Sequence, residues 1–163
     1  MSEITILVLE DETEVRAAIA RDLEVFAGDF HIEVSDEADD ARAVISAVRD
    51  SGGEVGLILC DHLLPGLRGT DFLIELNNDP ATAAMRKVLL TGQAGHDDTI
   101  RAINEGGLDY YVAKPWKVDE LHAVVREQLT EYVLAEIDDL LPYVNVLDGP
   151  RLLEAVSERG WDR

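Results

Sequence analysis

The sequence predicts an α/β fold, a (βα)5 doubly wound sheet of five parallel strands with helices on both faces. Short apolar runs of strand length alternate five times with segments in which apolar residues recur at helical spacing. Consecutive strand and helix units of this kind build a parallel sheet through right-handed crossovers, which place helices on both faces. We therefore expect the strand order 2-1-3-4-5, followed by a helical extension.

Each element follows from its local pattern. Residues 4–9 and 55–60 are continuous apolar runs, typical of strands that are buried on both faces. Residues 13–26 carry apolar side chains at helical intervals, beginning with Val15, Ala18 and Ile19. The predicted strands are 4–9, 30–34, 55–60, 87–91 and 108–113, and the predicted helices are 13–26, 36–52, 70–78, 97–106 and 117–129.

Net charge is the strongest feature of the composition. The chain has 14 Lys and Arg against 34 Asp and Glu, a formal net charge of −20, while its hydrophobic share of 47% is that of an ordinary globular protein. A field of this sign repels a phosphate backbone. We therefore expect no direct binding of nucleic acid.

The sequence also bears on the cellular compartment. No apolar run approaches the roughly 20 residues that a membrane-spanning helix needs, and the first residues lack the basic segment of a secretory signal. The single cysteine, Cys60, has no partner for an internal disulfide. These features predict a cytoplasmic protein that does not associate with membranes.

Polar residues with useful chemistry follow four of the five predicted strands. Glu10 and Asp11 come after the first strand, Asp61 after the third, Thr91 closes the fourth, and Lys114 follows the fifth. Ligands of open parallel sheets bind outside the carboxyl ends of the strands. We therefore expect these five side chains to meet at one edge of the sheet.

These residue types suit a magnesium-assisted phosphoryl acceptor. Three neighbouring carboxylates, Glu10, Asp11 and Asp61, need a cation between them, and Mg²⁺ prefers oxygen ligands of this kind. A carboxylate such as Asp61 can act as a nucleophile and form an acyl phosphate. The Lys114 ammonium and the Thr91 hydroxyl would then contact the phosphoryl oxygens.

Four motifs lie at these strand ends: LVLEDE, LILCDHLLPGLRGTDFL, LLTGQ and YYVAKPW. In this order and at these intervals they resemble the receiver domain of bacterial two-component response regulators, a family with a flavodoxin-like fold. The resemblance covers residues 4 to about 129. It implies that Asp61 is the phosphoacceptor and that Mg²⁺ is bound by Glu10, Asp11, Asp61 and the backbone carbonyl of Leu63.

The resemblance also implies a switch. Thr91 and Tyr111 would be the switch pair, and Lys114 would contact the phosphoryl group. The bond between Lys114 and Pro115 would be cis, a form that is uncommon even before proline. Because Trp116 follows Lys-Pro, the chain resembles the subset of receivers that carry the sequence Lys-Pro-Trp.

The function implied is phosphorylation of Asp61 by a sensor histidine kinase or a phosphotransfer protein, which switches a protein-interaction face. Such a chain is not an enzyme beyond magnesium-dependent autophosphorylation and slow self-dephosphorylation. One alternative is a scaffold of the same fold that acts without phosphorylation, and another is the receiver fragment of a larger regulator. A phosphohydrolase with an aspartyl-phosphate intermediate would need a general acid two residues after Asp61, but the residue there is Leu63.

Two positions beside the phosphoryl site vary in the family, and here they are Leu63 and Gln93. Because apolar Leu63 would hinder an attacking water, we expect a long-lived phosphorylated form. His62, next to Asp61, is expected to be an exposed loop residue with a structural role.

We predict two regions in the chain, a receiver domain over residues 1–129 and a helical extension over residues 130–163. The last helix of the receiver could continue to about Leu141, with a second short helix over 150–160. Such a helix carries an apolar stripe that must be covered by the folded-back tail, by a second copy in a homodimer, or by a partner. The stripe comprises Val125, Leu129, Val133, Ile137 and Leu141.

Overall fold

The computed structural model describes residues 3–92 and 95–160 and shows one parallel sheet covered by helices on both faces. The sheet order β2-β1-β3-β4-β5 and the extra C-terminal helices confirm the predicted fold. The strands are β1 Ile4–Leu9, β2 His31–Ser35, β3 Glu54–Cys60, β4 Arg86–Thr91 and β5 Tyr110–Ala113. The helices are α1 Thr13–Asp22, α2 Ala38–Asp50, α3 Gly69–Asn78, α4 His96–Asn104, α5 Val118–Glu136 and α6 Gly149–Arg159.

The central strands are buried on both faces, as their apolar sequences require. Every residue of β1 is buried, and so is every residue of β3 after Glu54. Alternate residues point to opposite faces and enter different cores: Ile6 and Val8 pack with α1 and α5, while Leu7 and Leu9 pack with α2 and α3. The sheet therefore separates two apolar clusters.

Several elements differ from the sequence prediction in extent. The first predicted helix, 13–26, ends as an α-helix at Asp22 and continues as a 3₁₀ turn over Glu24–Phe26. A two-residue hairpin that the sequence analysis missed pairs Leu63–Leu64 with Leu67–Arg68. This hairpin leads directly from the end of β3 into α3.

The end of α5 corrects the expectation that this helix runs to about Leu141. The helix stops at Glu136, and the backbone of Ile137 is extended. The chain then turns so that Leu140 and Tyr143 enter the core, where they are 1% and 3% exposed. Burial of these side chains prevails over the helical repeat, and Leu141 remains half exposed.

The extension folds back on its own chain and becomes part of the core. Leu140, Tyr143, Leu147 and Leu152 join the cluster between the sheet, α1 and α5. The ring of Tyr143 stacks on that of Phe30, with centroids 6.1 Å apart. The apolar stripe of α5 is covered in this way, since Val125, Leu129 and Val133 are all fully buried.

Polar contacts hold α6 against α5. Arg151 pairs with Glu127 at 2.9 Å and with Glu131, both of which lie on α5. Arg159 donates to the backbone carbonyls of Leu134 and Ile137, which belong to the last turn and the end of α5. A cation that hydrogen-bonds the last carbonyls of a helix stabilises that terminus.

Within the described residues, no helix combines the length and the apolar character needed to cross a bilayer.

Two neighbouring leucines test whether the extension stabilises the fold. Leu152 is fully buried and Leu153 is 47% exposed on the same helix. Leu152→Ala removes a core side chain, so it should lower the free energy of unfolding by about 2–5 kcal/mol. The matched variant Leu153→Ala should change it by no more than about 0.5 kcal/mol. Urea denaturation of both variants measures the difference, and equal, small effects would show that α6 is not docked in solution.

Candidate functional site

The carboxyl ends of β1 and β3 bring two acids side by side. In the sheet, Leu9 is level with Cys60 of β3 and with Ser35 of β2. The ladder continues one residue further, because the amide of Asp61 donates to the carbonyl of Leu9 at 2.9 Å. Glu10 and Asp61 are thereby held at adjacent strand ends, where they are 1% and 5% exposed.

Asp11 completes an acidic cluster with these two residues. One carboxylate oxygen from each of Glu10, Asp11 and Asp61 lies within 4.8 Å of the other two. Asp11 is the most accessible of the three. The sequence prediction that these carboxylates converge is therefore fulfilled in the structure.

Lys114 reaches the same cluster from the loop after β5. Its ammonium forms an ion pair with Glu10 and lies 3.3 Å from Oδ1 of Asp61. Burial alone would lower the pKa of Lys114, but its contacts with Glu10 and Asp61 outweigh burial and raise this pKa above the usual value. Lys114 therefore remains a full positive charge in the site.

Glu10 shows the opposing forces that act on a buried acid. Burial raises the pKa of Glu10, and the neighbouring charge of Asp61 raises it further. The hydrogen bond from Lys114 and the backbone amide of Glu12 partly offset this rise. One lysine thus compensates only part of the charge of three carboxylates.

The donor set fits Mg²⁺. It consists of carboxylate oxygens that are close together, carry excess negative charge, and include one accessible member, Asp11. Hard oxygen ligands with room for water are what Mg²⁺ requires. Glu10, Asp11 and Asp61 are the side chains that could hold this ion.

The loop after Asp61 is shaped by its own backbone. The amide of His62 donates to Oδ1 of Asp61 at 2.8 Å, and the carbonyl of His62 accepts from the amide of Gly69 at 2.7 Å. A Cβ on Gly69 would lie 2.0 Å from the carbonyl oxygen of Asp61. Only glycine allows this close approach, which closes the hairpin beneath Asp61.

Thr91 and Tyr111 lie on neighbouring strands near the cluster. Thr91 ends β4 and is buried, and the hydroxyl of half-buried Tyr111 donates to its backbone carbonyl at 3.0 Å. The amide of Lys114 donates to the same carbonyl at 3.3 Å. The peptide bond between Lys114 and Pro115 is cis, as predicted.

The two variable positions are only partly described. Leu63 is 54% exposed and pairs with Arg68 in the hairpin that follows Asp61. Gln93 lies outside the described residues.

His62 contradicts the expectation of an exposed loop residue. It is 2% exposed, and its ring contacts Thr70 on α3 and Asp98 on α4, each at 3.2 Å. The loop turns inward after β3, so the ring fills the space between these two helices. Sequence reasoning had no local signal for this, because the partners lie 8 and 36 residues away.

Arg16 is a further residue of the site that sequence reasoning missed. Its guanidinium donates to the carbonyl of Glu10 at 2.9 Å and to that of Asp11 at 3.4 Å. These bonds fix the backbone that carries two of the three acids. The available signal was a basic residue one turn into a helix whose entry is otherwise acidic.

The family model of the response regulator receiver domain matches residues 6–126. Among curated proteins, the chain is 34% identical over 125 residues to the hydrogenase transcriptional regulatory protein HoxA of Cupriavidus necator, covering 77% of this chain and 24% of that protein. It is also 34% identical over 125 residues to the phosphate regulon transcriptional regulatory protein PhoB of Pseudomonas aeruginosa, covering 77% of this chain and 51% of that protein. The chain thus matches about half of the length of such relatives, or less.

Solved structures agree with this match. A CheY-like response regulator receiver domain protein from Methanospirillum hungatei is 27% identical, with a TM-score of 0.68 over 80% of this chain and 97% of that one. The signal receiver domain of a Luxo repressor protein from Vibrio parahaemolyticus shares the fold at 21% identity, with a TM-score of 0.70 over 83% of this chain and 96% of that one. These matches do not single out a Lys-Pro-Trp subset.

The acidic cluster predicts a specific response to magnesium. Binding to the folded state alone should raise the free energy of unfolding by about 1.4 kcal/mol at a Mg²⁺ concentration ten times Kd. Asp11→Asn should abolish this gain, and it should raise the melting temperature without metal because it relieves repulsion between the carboxylates. Thermal denaturation with and without Mg²⁺ measures both effects.

Glu14→Gln is the matched control for this experiment, because Glu14 is an exposed acid in the first turn of α1. It removes the same charge and should keep the full magnesium response. Equal loss of the response in both variants would show that magnesium acts through general charge screening.

Proposed function

We propose that this chain, which belongs to the response regulator receiver domain family, accepts a phosphoryl group on Asp61 and switches a protein-interaction face in two-component signal transduction. The donor is a sensor histidine kinase or a phosphotransfer protein. The observation that carries the proposal is the meeting of Asp61 with Lys114 at 3.3 Å inside the acidic cluster.

Asp61 has the surroundings of a nucleophile. Its carboxylate lies at the edge of the sheet, fixed by the amide of His62, while the Lys114 ammonium lies beside one of its oxygens. In the reaction a carboxylate oxygen of Asp61 attacks phosphorus. The new O–P bond forms as the P–N bond of the phosphohistidine breaks, and the departing imidazole takes up a proton from solvent.

The remaining residues of the site would compensate the negative charge of the phosphoryl group, directly or through a bound cation. Lys114 exchanges part of its contact with Asp61 for a contact with phosphoryl oxygens, which keeps each charge partnered. Glu10, Asp11, Asp61 and the backbone carbonyl of Leu63 would hold Mg²⁺. The bound ion would reduce the repulsion between these carboxylates and the incoming phosphoryl group.

Thr91 and Tyr111 form the proposed switch pair. Once Asp61 is phosphorylated, the Thr91 hydroxyl moves toward a phosphoryl oxygen. The Thr91 carbonyl then changes position, and the Tyr111 side chain that donates to it turns inward. The face formed by α4, β5 and α5 changes its preferred partner through this shift between two packings.

The proposed organisation is a receiver domain over residues 1–129 and a helical extension over 130–163. The extension covers the α5 stripe within one chain, which favours the docked tail over a homodimer through this face. The formal charge of −20 favours protein partners over direct contact with nucleic acid, and a cytoplasmic location fits a partner kinase. The downstream target is a protein of unspecified identity.

The rival functions differ in what Asp61 does. Receiver proteins are signalling regulators and not enzymes of the usual kind, and we assign this chain only magnesium-dependent autophosphorylation and slow self-dephosphorylation. A scaffold would not be phosphorylated, and a phosphohydrolase would turn over without accumulating the intermediate. A receiver fragment of a larger regulator would behave at Asp61 as proposed here.

Incubation with acetyl phosphate and Mg²⁺ separates these functions. We expect a mass increase of one phosphoryl group per chain, absent in Asp61→Asn. Lys114→Ala should slow labelling roughly 100-fold, since it removes a preorganised charge at the reacting group. Lys117→Ala, an exposed lysine three residues further on, is the control and should label normally. Phosphate release without any labelled protein would favour the phosphohydrolase.

We propose that Leu63 lengthens the lifetime of the phosphorylated form. We expect the apolar Leu63, two residues after Asp61, to hinder an attacking water, so the wild-type phosphoform should persist for minutes or longer with Mg²⁺ present. Leu63→Asn should shorten its lifetime roughly tenfold, equal to about 1.4 kcal/mol of barrier. Intact-protein mass spectrometry over time measures the decay, with Leu153→Asn as a remote control that should match wild type. Loss of the wild-type label within seconds would contradict the role of Leu63.

A further inference from the structure

His62 connects the residue after the proposed phosphoacceptor to two helices. Its ring is almost fully buried, with Nδ1 3.2 Å from the Thr70 hydroxyl and Nε2 3.2 Å from Oδ2 of Asp98. The carboxylate of Asp98 can only accept, so Nε2 donates in this contact. The Thr70 hydroxyl can donate to or accept from Nδ1, so both ring nitrogens have partners.

Asp98 lies at the start of α4, where a carboxylate is favoured by the helix dipole. Its side chain is 19% exposed and also accepts from Arg68 of the hairpin at 2.9 Å. Asp98 thus attaches the first turn of α4 to two points of the loop after β3. The His62 side chain is 3% exposed and that of Arg68 is 62% exposed, and exposed ion pairs contribute little to stability.

The backbone of His62 is attached to Asp61, as its ring is to α4. Its amide donates to Oδ1 of Asp61, the oxygen that also faces Lys114. Phosphorylation of Asp61 must redistribute these contacts, because a phosphoryl group adds oxygens that compete for the same donors. Movement of the His62 backbone carries the buried ring, and with it Asp98.

We propose that His62 and Asp98 are positioning residues that transmit the state of Asp61 to the first turn of α4. This connection runs from the loop after β3 and is separate from the Thr91 and Tyr111 pair on β4 and β5. It acts on the helix that exposes Ile100 and Ile103, which are 41% and 54% exposed. The inference rests on the proposed function, since it requires that Asp61 be the group that changes.

Hydrogen–deuterium exchange of α4, with and without beryllofluoride and Mg²⁺, tests the connection. Wild type should show a change in amide protection over residues 96–104 when beryllofluoride binds. Asp98→Ala should reduce this change to less than half, while the Kd for beryllofluoride changes less than threefold. Asp98→Asn keeps an oxygen that can accept from Nε2, so it should restore most of the change.

Arg68→Ala is the matched control, because it removes the other contact to Asp98 and leaves the His62 bond in place. Arg68 is largely exposed, with 62% of its side chain accessible, and this variant should respond like wild type. A response of Asp98→Ala equal to wild type would overturn the inference, and so would equal losses in Asp98→Ala and Arg68→Ala. Both results leave the proposed function intact, whereas failure of wild type to bind beryllofluoride would refute the proposed function itself.

Discussion

The proposed function depends on three carboxylates, one oxygen of each lying within 4.8 Å of the others, that are held beside a single lysine. Two of these acids are buried, which costs free energy for charged groups unless they are partnered. Lys114, the amides of Glu12 and His62, and the guanidinium of Arg16 at the backbone supply part of that partnership. The uncompensated charge is what makes the cluster suited to a cation and, with it, to a phosphoryl group.

The parallel sheet creates this arrangement. Because β1, β3 and β4 are adjacent and parallel, their carboxyl ends place Glu10, Asp61 and Thr91 at one edge of the sheet. The extension packs at the opposite end of the sheet, where Tyr132 of α5 lies beside Ile4 and Gly56 at the starts of β1 and β3. These residues of the extension therefore support the core at the end of the sheet opposite the acidic cluster.

The sequence predicted the sheet and the cluster because both depend on local patterns. Buried strands appear as continuous apolar runs, and the residue after each run must lie at the sheet edge, so the location of Asp61 and Lys114 could be predicted from their position in the sequence. The burial of His62 could not be predicted, since it depends on Asp98, 36 residues away. The end of α5 was also missed, because the helical repeat continues past Glu136 while the core draws Leu140 and Tyr143 inward.

A crystal structure with Mg²⁺ and beryllofluoride is the most direct test of Asp61 as phosphoacceptor. We predict beryllium bonded to a carboxylate oxygen of Asp61, Mg²⁺ among Glu10, Asp11 and Asp61, and the Lys114 ammonium in contact with fluoride. Crystals soaked at saturating concentrations that show Asp61 unmodified, with Lys114 still paired to Glu10, would contradict the phosphoacceptor assignment.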